Sequence, residues 1–194
     1  MKLSRLVFYD EYKGTRGYLK TQGKYLLAKT ILIFAISAAL LITGIITTGS
    51  RGNALTIVAV LGCLPACKSA IDTFMLMRYR GCSEENATAI EAHVGKLTGL
   101  YDRVFTSYKL NFQVAHLVIR DHTICGFTQD SHFKENDFNE HISDILQRDG
   151  IHDVTIKIFK DLNKYLVRLD QMNELEDNPD ITAGIQYTLN NVSL

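Results

Sequence analysis

TILIFAISAALLITGIITT, residues 30–48, decides how the rest of the chain is read. These nineteen residues carry no charge, and at about 1.5 Å of helical rise each they match the roughly 30 Å hydrocarbon thickness of a bilayer. A helix buried in a soluble core usually keeps a polar stripe, whereas this run is apolar or small all round. A spanning helix is predicted. A cleaved leader is not, because a long basic stretch precedes the run and a second apolar run follows it closely.

The second run covers residues 54–77, ALTIVAVLGCLPACKSAIDTFMLM, after the polar turn GSRGN at 49–53. A turn that short permits only an antiparallel hairpin. Within the second run, Pro65 removes a backbone donor and predicts a kink. Lys68 and Asp72 are four residues apart and share a helix face. Two placements are open to them: the cytoplasmic interface, where Lys68 reaches the headgroups, or a partner helix or water-filled path in an oligomer. Gly62, Ala66, Ser69 and Ala70 are small enough to let helices approach closely and are the candidate helix-packing residues.

Basic residues set the orientation. Lys2, Arg5, Lys13, Arg16, Lys20, Lys24 and Lys29 precede the first span, Arg51 alone lies between the spans, and Arg78 and Arg80 follow the second. A multi-pass protein of the cell membrane with both termini cytoplasmic is expected. Residues 1–29 read as a basic interfacial segment, with Leu6, Val7, Phe8, Tyr9, Tyr12, Tyr18 and Leu19 at headgroup level and Gly14, Gly17 and Gly23 interrupting any long helix. Residues 30–80 form the transmembrane hairpin.

Residues 81–194 carry ten Lys/Arg against eighteen Asp/Glu, an acidic balance that disfavours nucleic acid as a partner. Ser83 is a good N-cap for a helix over 84–97. Strand patterns follow at 101–108, 111–119 and 123–128, joined by links of hairpin length. Amphipathic helices are expected at 137–148 and 162–175 around a strand at 154–159, with a weaker helix near 181–189. The fold class is therefore an α+β membrane protein: a two-helix transmembrane hairpin followed by a cytoplasmic α/β sandwich of order α-β-β-β-α-β-α, whose last strand rejoins the meander by a crossover in a mixed sheet.

That order resembles the core of the PD-(D/E)XK nuclease fold, and in particular the nuclease-related NERD domain, over residues 84–172. Family members carry Asp-His in the second strand and an acidic residue, any residue and Lys at the end of the third. Here the first motif reads Gln113-Val114-Ala115-His116 and the second Phe127-Thr128-Gln129-Asp130, so Ala115, Thr128 and Asp130 stand where the metal ligands and the lysine belong. Only His116 matches, and the resemblance implies a degenerate nuclease-like fold without the chemistry for metal-assisted phosphodiester cleavage.

Cys63, Cys67, Cys82 and Cys125 fit no zinc spacing and predict no disulfide. His116, His122 and Cys125 could approach one another across a hairpin, yet no third group is in view to orient a Cys–His pair. No cofactor, metal site or catalytic residue is expected. The leading expectation is a non-enzymatic membrane protein whose cytoplasmic domain mediates homo-oligomerisation or docks a cytoplasmic protein. An oligomeric channel or transport component lined by the second span is the alternative, and a membrane-tethered hydrolase on the nuclease-like fold the third.

Overall fold

The computed structural model describes residues 13–50, 52–108 and 110–194. The interfacial aromatics expected at Leu6, Val7, Phe8, Tyr9 and Tyr12, and the loop residue Arg51, lie outside the described residues. The fold is α+β, with six helices and a four-stranded mixed sheet among the described residues. Two compact units share it: residues 19–79 form one, and residues 13–18 together with 80–194 form the other.

The first unit is a helical hairpin. Helix α1 runs Tyr18–Thr48 and helix α2 runs Ala54–Arg78, and both are long and apolar enough to cross a membrane. Gly49 takes φ +63 at the end of α1, where a Cβ would be strained. Asn53 then opens α2, accepting the Thr56 N–H at 2.9 Å and donating back to Thr48 Oγ1 at 2.8 Å. Gly23, expected to interrupt the helix, lies inside α1, where a Cβ would stand 3.2 Å from Met77 Cγ.

Only a narrow seam of the hairpin is buried, and it has a seven-residue period. On α1 the most enclosed positions of the apolar run are Thr30, Ser37 and Gly44; on α2 they are Ala59, Ala66, Ser69, Thr73 and Leu76. Steps of three and four residues along α2 describe the stripe of an antiparallel coiled coil, here filled with small side chains. Thr30 Oγ1 lies 2.8 Å from Ser69 Oγ and 3.1 Å from Thr73 Oγ1, so hydroxyls bridge the helices where larger residues would push them apart. Ser37 faces Gly62, and Gly44 faces Asn53 and Leu55. A Cβ on Gly62 would stand 2.8 Å from Ser37 Oγ. Gly62→Leu is therefore expected to cost the hairpin about 1–3 kcal/mol by overpacking, read as a lower helical melting midpoint in detergent, while Leu61→Ile on an exposed neighbour leaves it unchanged.

The second unit is built on strands β1 (Thr98–Thr106), β2 (Asn111–Arg120), β3 (Thr123–Phe127) and β4 (Thr155–Phe159), in that spatial order. The first three form an antiparallel meander, and β4 pairs parallel to β3. Helix α3 (Glu84–Val94) precedes the sheet, α4 (Glu135–Arg148) makes the crossover, and α5 (Leu162–Asn173) and α6 (Pro179–Val192) follow β4. Phe138, Ile142 and Leu146 of α4 and Ile185 and Leu189 of α6 pack with one set of strand residues; Ala87 and Ile90 of α3 and Tyr165, Leu169 and Met172 of α5 pack with another. The sheet thus carries a separate core on each face, as the element order predicts. Helix α3 is shorter than expected, because Gly95 turns the chain at φ +54 and Leu97 already belongs to the core leading into β1.

Asp102 breaks the alternation of β1. It takes φ +55 in mid-strand, and the ladder passes from Tyr101↔His116 to Arg103↔Val114 without pairing Asp102 and Ala115. Phe112 and Val114 face one core, but beyond Ala115 it is Leu117 and Ile119 that do so. The register survives while the faces exchange. The buried Asp102 carboxylate accepts the Cys82 N–H at 2.7 Å, a local bond of the kind that lets Asp tolerate this backbone region.

The outer edge of β1 is covered from both ends of the sequence. The Tyr101 N–H donates to the Gly14 carbonyl at 2.8 Å, and the Leu194 N–H donates to the Val104 carbonyl at 2.9 Å. Arg16 anchors the first of these segments on α3, donating to Glu91 Oε2 at 2.9 Å, to Thr88 Oγ1 at 3.2 Å and to the Glu84 carboxylate. Residues from before the hairpin are therefore part of the unit that follows it, which the boundary read at residue 81 did not include.

Candidate functional site

The face exchange at Asp102 turns His116 toward α5 and buries it completely. His116 Nδ1 lies 2.7 Å from the Tyr165 hydroxyl, and the Tyr101 ring stands 4.3 Å from the imidazole between centroids. Phe127, which pairs with His116 across the ladder, stacks on Tyr165 at 5.7 Å. On the remaining side the imidazole abuts the backbone of Gly99, where a Cβ would fall 2.4 Å from Nε2. Among the described residues neither Nε2 nor the Tyr101 hydroxyl has a hydrogen-bond partner.

Burial sets the charge state of the whole niche. It pulls the His116 pKa down to about 3, so the ring is neutral at physiological pH. It pushes the Cys125 thiol up to about 11 and the Cys82 thiol to about 11, so neither carries the thiolate that a nucleophile needs. Tyr165 is raised well above the ordinary phenol range by the same cause. The arrangement is a neutral polar knot sealed by aromatic rings.

Of the three residues singled out in this region, the sheet brings two together. Cys125 pairs with Val118, two residues along from the His116–Phe127 pair, and shares the His116 core. His122 lies at the other end of the hairpin, in the β2–β3 turn, where its Nδ1 is 3.1 Å from Asp121 Oδ1. There Asp121 takes φ +49 and its N–H donates to Thr182 Oγ1 at 2.9 Å.

The positions that the nuclease resemblance assigns to metal ligands and lysine have other uses here. Ala115 packs in the core. Thr128 Oγ1 donates to the Gln113 carbonyl at 2.7 Å, and Asp130 Oδ1 accepts the His132 N–H at 2.9 Å to form a tight turn. Among the described residues no group of three His, Cys, Asp or Glu side chains converges on a point that could hold a metal ion.

No family model, curated protein or solved structure matches this chain. Its chemistry is read from its own side chains alone.

In the hairpin, Gly62, Ala66 and Ser69 line the seam or its border toward α1, and Ala70 is half-buried beside it. Pro65, Lys68 and Asp72 are exposed on another face of α2. The ion pairs among the described residues all lie in the second unit, so Lys68 and Asp72 are not paired to each other. The antiparallel seam also gives their height: Thr30, where the charge-free run of α1 begins, meets Ser69 and Thr73. Lys68 and Asp72 are thus level with the Lys29 end of that run, well away from its middle.

Sequence reasoning did not find Tyr101, Arg103 or Tyr165. The bond of Tyr165 to His116 depends on the face exchange, for which Asp102 gives no periodic signal.

Proposed function

We propose that this chain is an integral membrane protein in which the α1–α2 hairpin spans the bilayer and holds the α/β unit at the cytoplasmic face as a non-catalytic module for self-association or partner docking. One observation carries this reading. The outward surface of both helices is apolar, with Ile31, Leu32, Ile36, Ile42 and Ile46 on α1 and Ile57, Val60, Leu61, Leu64 and Phe74 on α2 all exposed. Only 17% of the most apolar stretch of either helix is buried. Water would leave that surface unsolvated, and lipid tails solvate it.

The segment of Gly14 and Arg16, a strap laid on β1 and α3, supports the placement of the termini. Residues 13–18 and 80–194 belong to one unit, which supports a reading with the two chain segments that leave the hairpin on one side of the membrane. The positive residues around both ends favour the cytoplasm. The sealed His116 niche and the turn-forming roles of Thr128 and Asp130 support a scaffolding task over hydrolysis.

Membrane fractionation joined to labelling tests the reading. Tyr108 is fully exposed at the β1–β2 hairpin. A Tyr108→Cys variant is expected in the carbonate-resistant pellet, reacting with a membrane-impermeant maleimide only after cells are opened. Recovery in the supernatant, or labelling on intact cells, overturns the proposal.

A further inference from the structure

The hairpin has two unlike flanks. Taking the buried stripes as the seam, helical geometry places Leu27, Phe34 and Leu41 of α1 beside Cys63, Ala70 and Met77 of α2 on one flank. The opposite flank carries Lys29 and Ile36 of α1 with Pro65, Lys68 and Asp72 of α2. All the charge at this level of the hairpin is on one side.

Lipid can meet part of that charge. Each Cα–Cβ bond leans toward the N-terminus of its helix. For Lys29 on α1 this lean is toward the basic N-terminal segment, so its ammonium reaches water and headgroups readily. Helix α2 runs the other way, and the same lean carries Lys68 and Asp72 into the apolar layer. Pro65, one turn further in, has no N–H to give the Leu61 carbonyl, and that adds a polar group on the same flank. A headgroup phosphate could serve Lys68 but would repel Asp72. Two copies with the same orientation in the membrane keep each of these charges at its own depth, about 6 Å apart along the helix, so the long Lys68 side chain of one copy meets Asp72 of the other diagonally, reaching one turn toward the cytoplasmic end.

We propose that this flank is the interface between two copies of the chain related by a two-fold axis normal to the membrane, in which Lys68 of each copy reaches diagonally to Asp72 of the other. The inference rests on the membrane reading above. The reciprocal pairs neutralise four charges where water is scarce, and they bring the two Pro65 residues together on the inside of the assembly. The apolar flanks are left to the lipid.

Charge exchange tests it in full-length protein. Donor- and acceptor-labelled chains are mixed in phosphatidylcholine–phosphatidylglycerol vesicles and energy transfer is read against dilution in lipid. K68D and D72K are each expected to weaken association by about tenfold or more, and the double exchange K68D/D72K to restore it. Wild-type chains that are membrane-embedded but show no transfer overturn the proposal and leave the membrane reading intact, whereas chains that fail to enter the vesicles overturn both. Single variants with undiminished transfer overturn it too. So does loss without recovery in the double exchange, or recovery by K29D/D72K in its place, because that would pair Asp72 within one chain.

Discussion

Arg103→Ala is expected to lower the unfolding free energy of the second unit by about 3–5 kcal/mol, the range for truncating a large buried side chain that also holds polar partners. Arg103 is 2% exposed, and its guanidinium donates to Ser193 Oγ at 2.8 Å and to Asn190 Oδ1. Burial lowers its pKa to about 10, so it remains charged at neutral pH. Among the described residues no carboxylate is paired with it; its acceptors are neutral groups near the C-terminal end of α6, where the helix dipole favours a cation and α6 has no basic residue of its own. The arginine therefore fastens the last helix and the Leu194 edge bond to β1 from inside the sheet. Alanine would leave both acceptors unpaired and open a cavity under Gly14, whose absent side chain makes room for the guanidinium. Arg103→Met keeps most of the volume and removes the buried charge, and about 1–2 kcal/mol is expected for the two lost hydrogen bonds. Hydrogen exchange on the full chain reads the difference: the Leu194 amide, which donates to the Val104 carbonyl, should lose protection first in the alanine variant. Equal protection in wild type and both variants would remove Arg103 from this role.

What could be read in advance follows from which forces are periodic. The strands 111–119 and 123–128 and the helices at 137–148 and 162–175 show clear apolar spacing, and all four appear within a few residues of their expected ends. The α3–β1 junction was misplaced because Gly95 and Asp102 act through single backbone dihedrals, which leave no repeat to detect. The α1 side of the hairpin seam escaped for the opposite reason. Its repeat is regular, but Thr30, Ser37 and Gly44 differ from their neighbours in size more than in polarity, and a reading based on hydrophobicity sees the run as uniform. The strap was out of reach because its partners lie far away in sequence: Arg16 meets Glu84 and Glu91 across the whole hairpin. His116 was chosen for its place in a motif, and the structure gives it a different context, bonded to Tyr165 and closed in by Gly99.

That context makes His116 an acid-sensitive group of the core. In the folded unit its pKa is depressed to about 3, against about 6.5 in an unfolded chain. The unfolded state therefore binds the proton first, and the stability that neutral His116 permits is fully present above about pH 6.5 and is lost as pH falls from there toward about 3. At pH 5 the loss amounts to about 2 kcal/mol from this residue alone, by linkage. The aromatic wall offers no carboxylate to compensate: Tyr101, Phe127 and Tyr165 surround the ring, and the neighbouring thiol of Cys125 is held neutral by the same burial. His116→Phe separates this effect from the titration of surface carboxylates. It leaves the Tyr165 hydroxyl without its partner, a cost of about 1–3 kcal/mol that does not vary with pH in this range, and it removes the His116 part of the acid slope. Denaturation midpoints of wild type and variant measured between pH 7 and pH 5 should therefore converge on acidification, whereas parallel lines would mean that His116 is already protonated, or reachable by protons, in the folded state.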